Sequence, residues 1–208
     1  MRQSTLVIGI PVLVAASAIL VSAAMASNTC DSTDETMTAI SYSEHGPADE
    51  VLTLKSDYPK PVPGKNQVLI QVKASSVNPV DFKLRRNSVP DFLIPKPKIP
   101  GADVAGVIVQ LGANLEKAAN FQIGDRIPNE VDFESAAALP LVSLTVLQSL
   151  KKLKNPKDKK ILIHAGAGGV GSFAIQYAKK VLGMHVATTA SKEKKEIVKD
   201  LGADVVID

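Results

Sequence analysis

The sequence predicts an α/β protein in which a β-rich first part is followed by the opening half of a doubly wound parallel sheet. Two observations carry the second part. The glycines 166, 168, 169 and 171 lie between an apolar run, Ile161, Leu162, Ile163, and a segment with apolar residues at helical spacing. A second strand at 186–189, a charged helix at 192–201 and a third strand at 205–207 then complete a βαβαβ unit. The β-rich part is inferred from short apolar runs between residues 37 and 127, punctuated by proline and glycine.

Length and composition narrow the classes. A chain of 208 residues has room for one or two domains and a real core. Its 24 basic and 21 acidic residues leave a formal charge of +3, too balanced for a nucleic-acid surface. Cys30 is the only cysteine, which excludes an intrachain disulfide and a cysteine-based metal centre.

Residues 6–26 are almost unbroken apolar and small residues after Arg2, ending in Ala24, Met25, Ala26, a small-x-small cleavage pattern. They read as a signal peptide for the secretory pathway. Because about 20 helical residues also span a bilayer, an uncleaved anchor associating the protein with a membrane is the competing reading. Arg2 before the run and Asp31, Asp34 and Glu35 after it orient the body for translocation in either case. A bipartite signal into a plastid is a third reading, with the polar stretch 27–38 as its second part.

Residues 38–42, 51–54 and 68–77 read as strands separated by Gly46, Pro47, Pro59, Pro61, Pro63 and Gly64. In the third of these, Val68, Ile70 and Val72 predict one apolar face. A short polar turn at 78–86 with one or two helical turns follows. Pro90, Pro95, Pro97 and Pro100 hold the next segment extended. Residues 104–111 read as a strand in which Gly101 and Gly106 mark a bend or a close approach of backbone. A last short strand is expected at Arg126 and Ile127.

At Pro128 the character changes, and residues 128–208 are read as the second domain. Asp132 is a candidate N-cap for an Ala- and Leu-rich segment, 133–153, read as helix broken at Pro140. The lysines at 151, 152, 154, 157, 159 and 160 form a basic connector without interleaved aromatics, hence a solvated loop. The glycine run then has three assigned tasks. Gly166 takes unusual turn dihedrals, Gly168 lets a pyrophosphate approach the backbone, and Gly171 allows helix to pack on strand. The phosphates would rest on the helix N-terminus, which makes Gly166, Gly168, Gly169, Val170 and Gly171 candidate cofactor-binding residues. A glycine-rich turn without a ligand is the structural alternative.

Several motifs together carry a resemblance: VNPVDFK at 77–83, PGADVAG at 100–106, GDR at 124–126, AAALPLVSLTVLQSL at 136–150 and the glycine run. With them the chain, from about residue 37 to 208, resembles the zinc-free, zeta-crystallin-like quinone oxidoreductases of the medium-chain dehydrogenase/reductase superfamily, also described as enoyl-reductase-like. The resemblance implies a GroES-like β domain at 37–127 and a Rossmann domain from 128, with NADPH between them. The reaction it implies is hydride transfer to a quinone or to the β-carbon of an α,β-unsaturated carbonyl. Zinc-using members place a cysteine near Asn78 and a His-Glu pair near Ala102 and Asp103, and this chain has neither. The histidines 45, 164 and 185 are scattered, with His164 expected inside a buried strand, so no zinc site is expected.

NADPH rather than NADH is expected from the end of the second Rossmann strand. Where an NAD site carries a carboxylate, the chain reads Ser191, Lys192, Glu193, Lys194, Lys195. Ser191 and Lys194 match the family's phosphate-binding pair in spacing; the alternative is a helix cap and a solvated face. The resemblance also brings Thr145 toward the cofactor and Asn78 to the nicotinamide side, against a buried helical threonine and a turn asparagine. No general acid is identified among Tyr42, Tyr58 and Tyr177. The family pattern is interrupted after Ile127 by a gap of roughly thirty residues, and only three strands of the six in the full dinucleotide fold are present. The expectation is therefore a reductase truncated internally and C-terminally, with an apolar sheet edge open to association into a homo-oligomer. A nucleotide-binding or interaction module without activity is the alternative.

Overall fold

The computed structural model describes residues 5–9, 35–86, 97–116 and 121–208. The chain divides into two compact units, Met1–Ala138 and Leu139–Asp208.

The first unit opens with β1 (Thr5–Gly9), which pairs antiparallel with β4 (Gln67–Ser76), itself antiparallel to β5 (Asp103–Leu111). The start of the apolar N-terminal run is thus extended and hydrogen-bonded to a sheet; residues 10–26 of the expected signal or anchor lie outside the described residues. Among the described residues no helix is long and apolar enough to cross a membrane.

A second, two-stranded sheet joins β2 (Thr36–Ser41) to β3 (Thr53–Pro59), with the one-turn α1 (Ala48–Val51) between them. Val51 is therefore helical, not the start of a strand. In β2, Met37, Ala39 and Ser41 are buried at alternate positions, the period of a strand with one covered face. In β4 the expected alternation fails, since Val68 and its neighbour Leu69 are both buried. The pairing with β5 slips between Leu69 and Ile70, and a bulge breaks the period of two.

Gly106 of β5 has the close approach expected of it, because an added Cβ would overlap the Gln71 carbonyl oxygen of β4. Gly101 is the bend, with φ of 95°. Arg126 and Ile127 are not a strand. Just before them, Ile108 of β5 donates to the Asp125 carbonyl and accepts from Gly124 N–H. The turn around Gly124 ends the pairing before a ladder can form.

Asn78 caps α2 (Pro79–Arg85), whose proline at N1 is preset for a helix start. The helix α3 (Phe133–Ala137) is capped by Asp132, which accepts from Ser135 N–H at 2.6 Å. It packs on β4 and β5, so the units divide at Ala138/Leu139, not at the compositional change near 128.

The second unit begins with α4 (Pro140–Leu150), the segment beyond the expected break at Pro140. Its sheet is parallel, in the order β6 (Lys160–Ile163), β7 (His185–Thr189), β8 (Val205–Ile207). Between β6 and β7 runs α5 (Gly169–Gln176), continued by a π turn at Tyr177–Val181. Between β7 and β8 a 3-10 turn, Lys192–Lys194, leads into α6 (Lys195–Asp200). Ile175, Val186 and Val198 are fully buried at the centre, each contributing roughly 2 kcal/mol from burial alone. This is the βαβαβ unit, held by an apolar core that fixes where β6 ends and α5 begins.

Candidate cofactor site

The turn from β6 into α5 is built by close packing. The left-handed residue is Ala165, with φ of 54°, and not Gly166 as the motif suggested. Gly166 is required for space: an added Cβ would overlap the Thr188 hydroxyl and lie 2.8 Å from Ile175 Cδ1. Gly171 is required likewise, since its Cβ would overlap the Ala165 carbonyl and lie 2.8 Å from Gly166 Cα. His164 lies beyond the end of β6 and is exposed, because the strand stops at Ile163.

Gly168 is the N-cap of α5, in extended conformation, and donates to the Ala165 carbonyl at 2.9 Å. The first bond of the helix runs from Ser172 N–H to the Gly168 carbonyl, at 2.8 Å. The N–H groups of Gly169, Val170 and Gly171 therefore precede the helical ladder, and Gly168, Gly169 and Val170 are exposed. Such an end favours an anion through its N–H groups and the helix dipole.

The sequence reading missed the role of the end of β7. Thr189 holds the turn twice, accepting from Ala165 N–H on its hydroxyl and from Gly166 N–H on its carbonyl, both at 2.9 Å. The buried Thr188 hydroxyl donates to the Ile163 carbonyl at 2.7 Å. The signal was present as two adjacent threonines ending a β-branched strand, but only the parallel register of β6 and β7 brings them to the turn.

Two residues beyond Thr189 the chain enters the basic turn. Lys194 N–H donates to the Ser191 carbonyl at 2.9 Å, so Ser191 and Lys194 share one 3-10 turn. Ser191 stands at the N-cap position without a side-chain bond to the helix. The Glu193 carboxylate is held below the usual range, first by its own backbone N–H, then by the neighbouring Ser191 hydroxyl and the Lys194 charge. Ser191, Lys194 and Lys195 are all exposed.

Thr145 lies on α4, which packs against α5; Val142, one turn earlier, lies 3.4 Å from the position of a Cβ on Gly169. The Thr145 hydroxyl donates to the Leu141 carbonyl at 2.7 Å, leaving its oxygen as an acceptor.

In the first unit, Asn78 belongs to a dense polar cluster. Its side-chain amide donates to Asp103 Oδ2 at 2.7 Å, and Ser76 donates to the same oxygen at 2.7 Å. Asp81 accepts from Asn78 N–H at 2.7 Å and from Gly101 N–H at 3.0 Å, closing the helix start onto the loop before β5. Asn78 and Asp103, compared above with zinc-ligand positions, thus meet as an amide–carboxylate pair. Among the described residues no group of three His, Cys, Asp or Glu is arranged to hold a metal. Tyr42 is buried with no partner for its hydroxyl among the described residues, and burial, then the Asp81 carboxylate, pushes its pKa up. A neutral phenol so enclosed is a core residue.

The chain matches the family described as Alcohol dehydrogenase GroES-like domain over residues 64–174. It is 38% identical to the 2-methylene-furan-3-one reductase of Solanum lycopersicum, over 89% of this chain and 55% of that protein. It is also 38% identical to the chloroplastic NADPH-dependent alkenal/one oxidoreductase of Arabidopsis thaliana, over 83% of this chain and 52% of that protein. The structure of Escherichia coli quinone oxidoreductase complexed with NADPH superposes with a TM-score of 0.64 at 28% identity, covering 82% of this chain and 58% of that one. The chain thus spans about half the length of the curated relatives it matches. Several homologues are chloroplastic. A GroES-like β unit followed by a partial Rossmann sheet, with these matches, places the chain in the alcohol dehydrogenase GroES-like family of the medium-chain dehydrogenase/reductase superfamily, among homologues that are quinone oxidoreductases and enoyl or enone reductases.

Proposed function

We propose that the chain binds NADPH and acts as a zinc-independent reductase of a small quinone or α,β-unsaturated carbonyl. The observation that carries this reading is the turn 164–171, in which no side chain fits at Gly166 or Gly171 and the exposed residues Gly169 and Val170 open a helix with their N–H groups ahead of its hydrogen-bond ladder. These residues fit a pyrophosphate, which needs close backbone approach and donors without competing side chains. Ser191 and Lys194 would hold the 2′-phosphate, and Thr145 would offer its hydroxyl oxygen. When bound, the nicotinamide supplies the hydride; the protein's part is to orient it and exclude water. Zinc independence is supported by Asn78, Ala102 and Asp103 standing where zinc-using members carry ligands.

Loss of NADPH absorbance on mixing with a panel of quinones and enones tests the proposal. Turnover supports it, whereas NADPH binding without turnover leaves the alternative, a nucleotide-binding module. For localisation, the chloroplastic homologues support the plastid route among the three fates of residues 1–26. A fluorescent fusion that collects outside plastids rejects it.

A further inference from the structure

The connector before β6 concentrates charge at one end of the second unit. Residues 139–208 hold 12 lysines, no arginine and six acidic residues, and six of those lysines fall between 151 and 160 with Asp158 as the only acid. All six are exposed. The fold adds residues that the sequence keeps apart, because Asp158 N–H donates to the Gly183 carbonyl at 2.9 Å and His185 N–H donates to the Lys159 carbonyl at 2.8 Å. Lys157 Cγ lies 3.5 Å from the position of a Cβ on Gly183. The connector and the π turn and loop that follow α5 are thus one surface, on which the exposed Lys180 joins the six lysines. Two aliphatic side chains stand out within it, Leu153 at 41% exposure and Val181 at 65%. Among the described residues no carboxylate forms an ion pair with any of these seven lysines. We propose that this surface docks the chain on a bilayer rich in anionic phospholipid headgroups.

The residue types select this partner. Lysine ammoniums are point charges on flexible stems, suited to many mobile phosphates, whereas a single fixed phosphate or carboxylate is better held by the planar fork of arginine, which the unit lacks. Leu153 and Val181 enter the headgroup region while the lysine stems lie along it and their ammoniums reach the phosphates. A single-stranded nucleic acid would instead call for stacking rings, and no Phe, Tyr or Trp occurs at 151–160 or 180–185. Placement fits as well. The connector enters β6 at Lys160 and the glycine turn follows Ile163, so the two surfaces lie at opposite ends of one strand. Docking by the connector leaves the glycine turn open to a soluble nucleotide. The proposal stands apart from the cofactor reading and from the fate of residues 1–26.

The test is co-sedimentation of the full chain with vesicles of phosphatidylcholine, alone or with about one third phosphatidylglycerol. The chain should partition onto the anionic vesicles about tenfold better than onto the neutral ones, and should lose that advantage between about 50 mM and about 500 mM KCl as the Debye length shortens. Lys154→Gln/Lys157→Gln/Lys180→Gln should cost about tenfold of the anionic partition. Lys65→Gln/Lys73→Gln/Lys83→Gln makes the same change of charge at exposed sites of the first unit and should stay within about twofold of wild type. Equal partition of wild type and the first variant, or an equal loss in the second, overturns the proposal. Salt-independent binding to both kinds of vesicle also overturns it, because that behaviour belongs to the apolar residues 6–26. Binding to a single-stranded polynucleotide that the first variant abolishes, without partition onto vesicles, overturns it in favour of a nucleic acid. Far-ultraviolet circular dichroism checks that each variant is folded. If the first variant unfolds, Lys154→Gln/Lys180→Gln decides: it should cost about fivefold, and no change overturns the proposal.

Discussion

Gly166 and Thr188 interlock: a methyl at Gly166 would overlap the Thr188 hydroxyl, which is itself held by the Ile163 carbonyl at 2.7 Å. Three segments that meet only in the folded sheet, the end of β6, the glycine turn and the end of β7, therefore share one contact. Replacing Gly166 with alanine should destabilise the second unit by about 1–3 kcal/mol through overpacking. It should also weaken adenine nucleotide binding, because relief requires the turn to move. Urea unfolding and nucleotide titration check both effects, and Gly166→Ala with wild-type stability rules out this account of the turn.

Thr189 should matter through position and not through packing. Thr189→Val keeps the β-branched shape but removes the acceptor for Ala165 N–H, at a cost of about 1–2 kcal/mol. Hydrogen exchange at Ala165 should accelerate while exchange at the fully buried Val186 of β7 tracks global stability alone. Unchanged protection at Ala165 would contradict the assignment.

In the first unit, Asp81 joins the start of α2 to Gly101. Asp81→Ala leaves two N–H groups without their acceptor in a buried setting and should cost about 3 kcal/mol. Asp81→Asn, which retains one acceptor oxygen, should recover part of that loss. The comparison is read from the denaturant midpoints of the two variants.

Acid stability of the second unit should depend on Asp204. Its carboxylate accepts from Lys179 at 2.6 Å and from Val186 N–H at 2.7 Å, with His185 nearby at 3.4 Å. Lys179 first, and then the Val186 N–H, hold its pKa below the ordinary carboxylate value. The folded state therefore binds fewer protons than the unfolded one. The stabilisation is fully present above the unfolded value near 4 and is lost as pH falls through the lower folded value. In Asp204→Asn this part of the pH dependence should vanish, which unfolding midpoints between about pH 2 and pH 6 would show.

Lys194→Ala should weaken NADPH about threefold to tenfold and leave NADH within twofold, the signature of an exposed contact to a 2′-phosphate. Equal loss for both cofactors would move the site elsewhere on the turn.

Much of the second unit was legible because its elements are local. The runs at 161–163, 186–189 and 205–207 lie within a residue of β6, β7 and β8, and the helical spacing after Val170 does become α5. The glycine run, Asp132 as a cap and the break at Pro140 are likewise decisions of neighbouring residues. The β unit was harder to read. Its bulge at Leu69/Ile70 defeats a period-of-two reading, and two residues at Arg126 and Ile127 could not be told from a strand without their partner.

By itself the sequence determined the α/β class, the order of elements and the place of the glycine turn, since backbone preference and apolar period act over a few residues. Only the tertiary structure decided why the glycines are there. Ala165 takes the left-handed turn, and Gly166 and Gly171 are glycine because other segments come within overlap of them. The same holds for Thr188 and Thr189, for the Asn78–Asp103 pair, and for the division at Ala138, each set by contacts between residues far apart in the chain. Steric exclusion and hydrogen bonding act at a few ångströms, and the sequence does not state which distant residues will be brought that close.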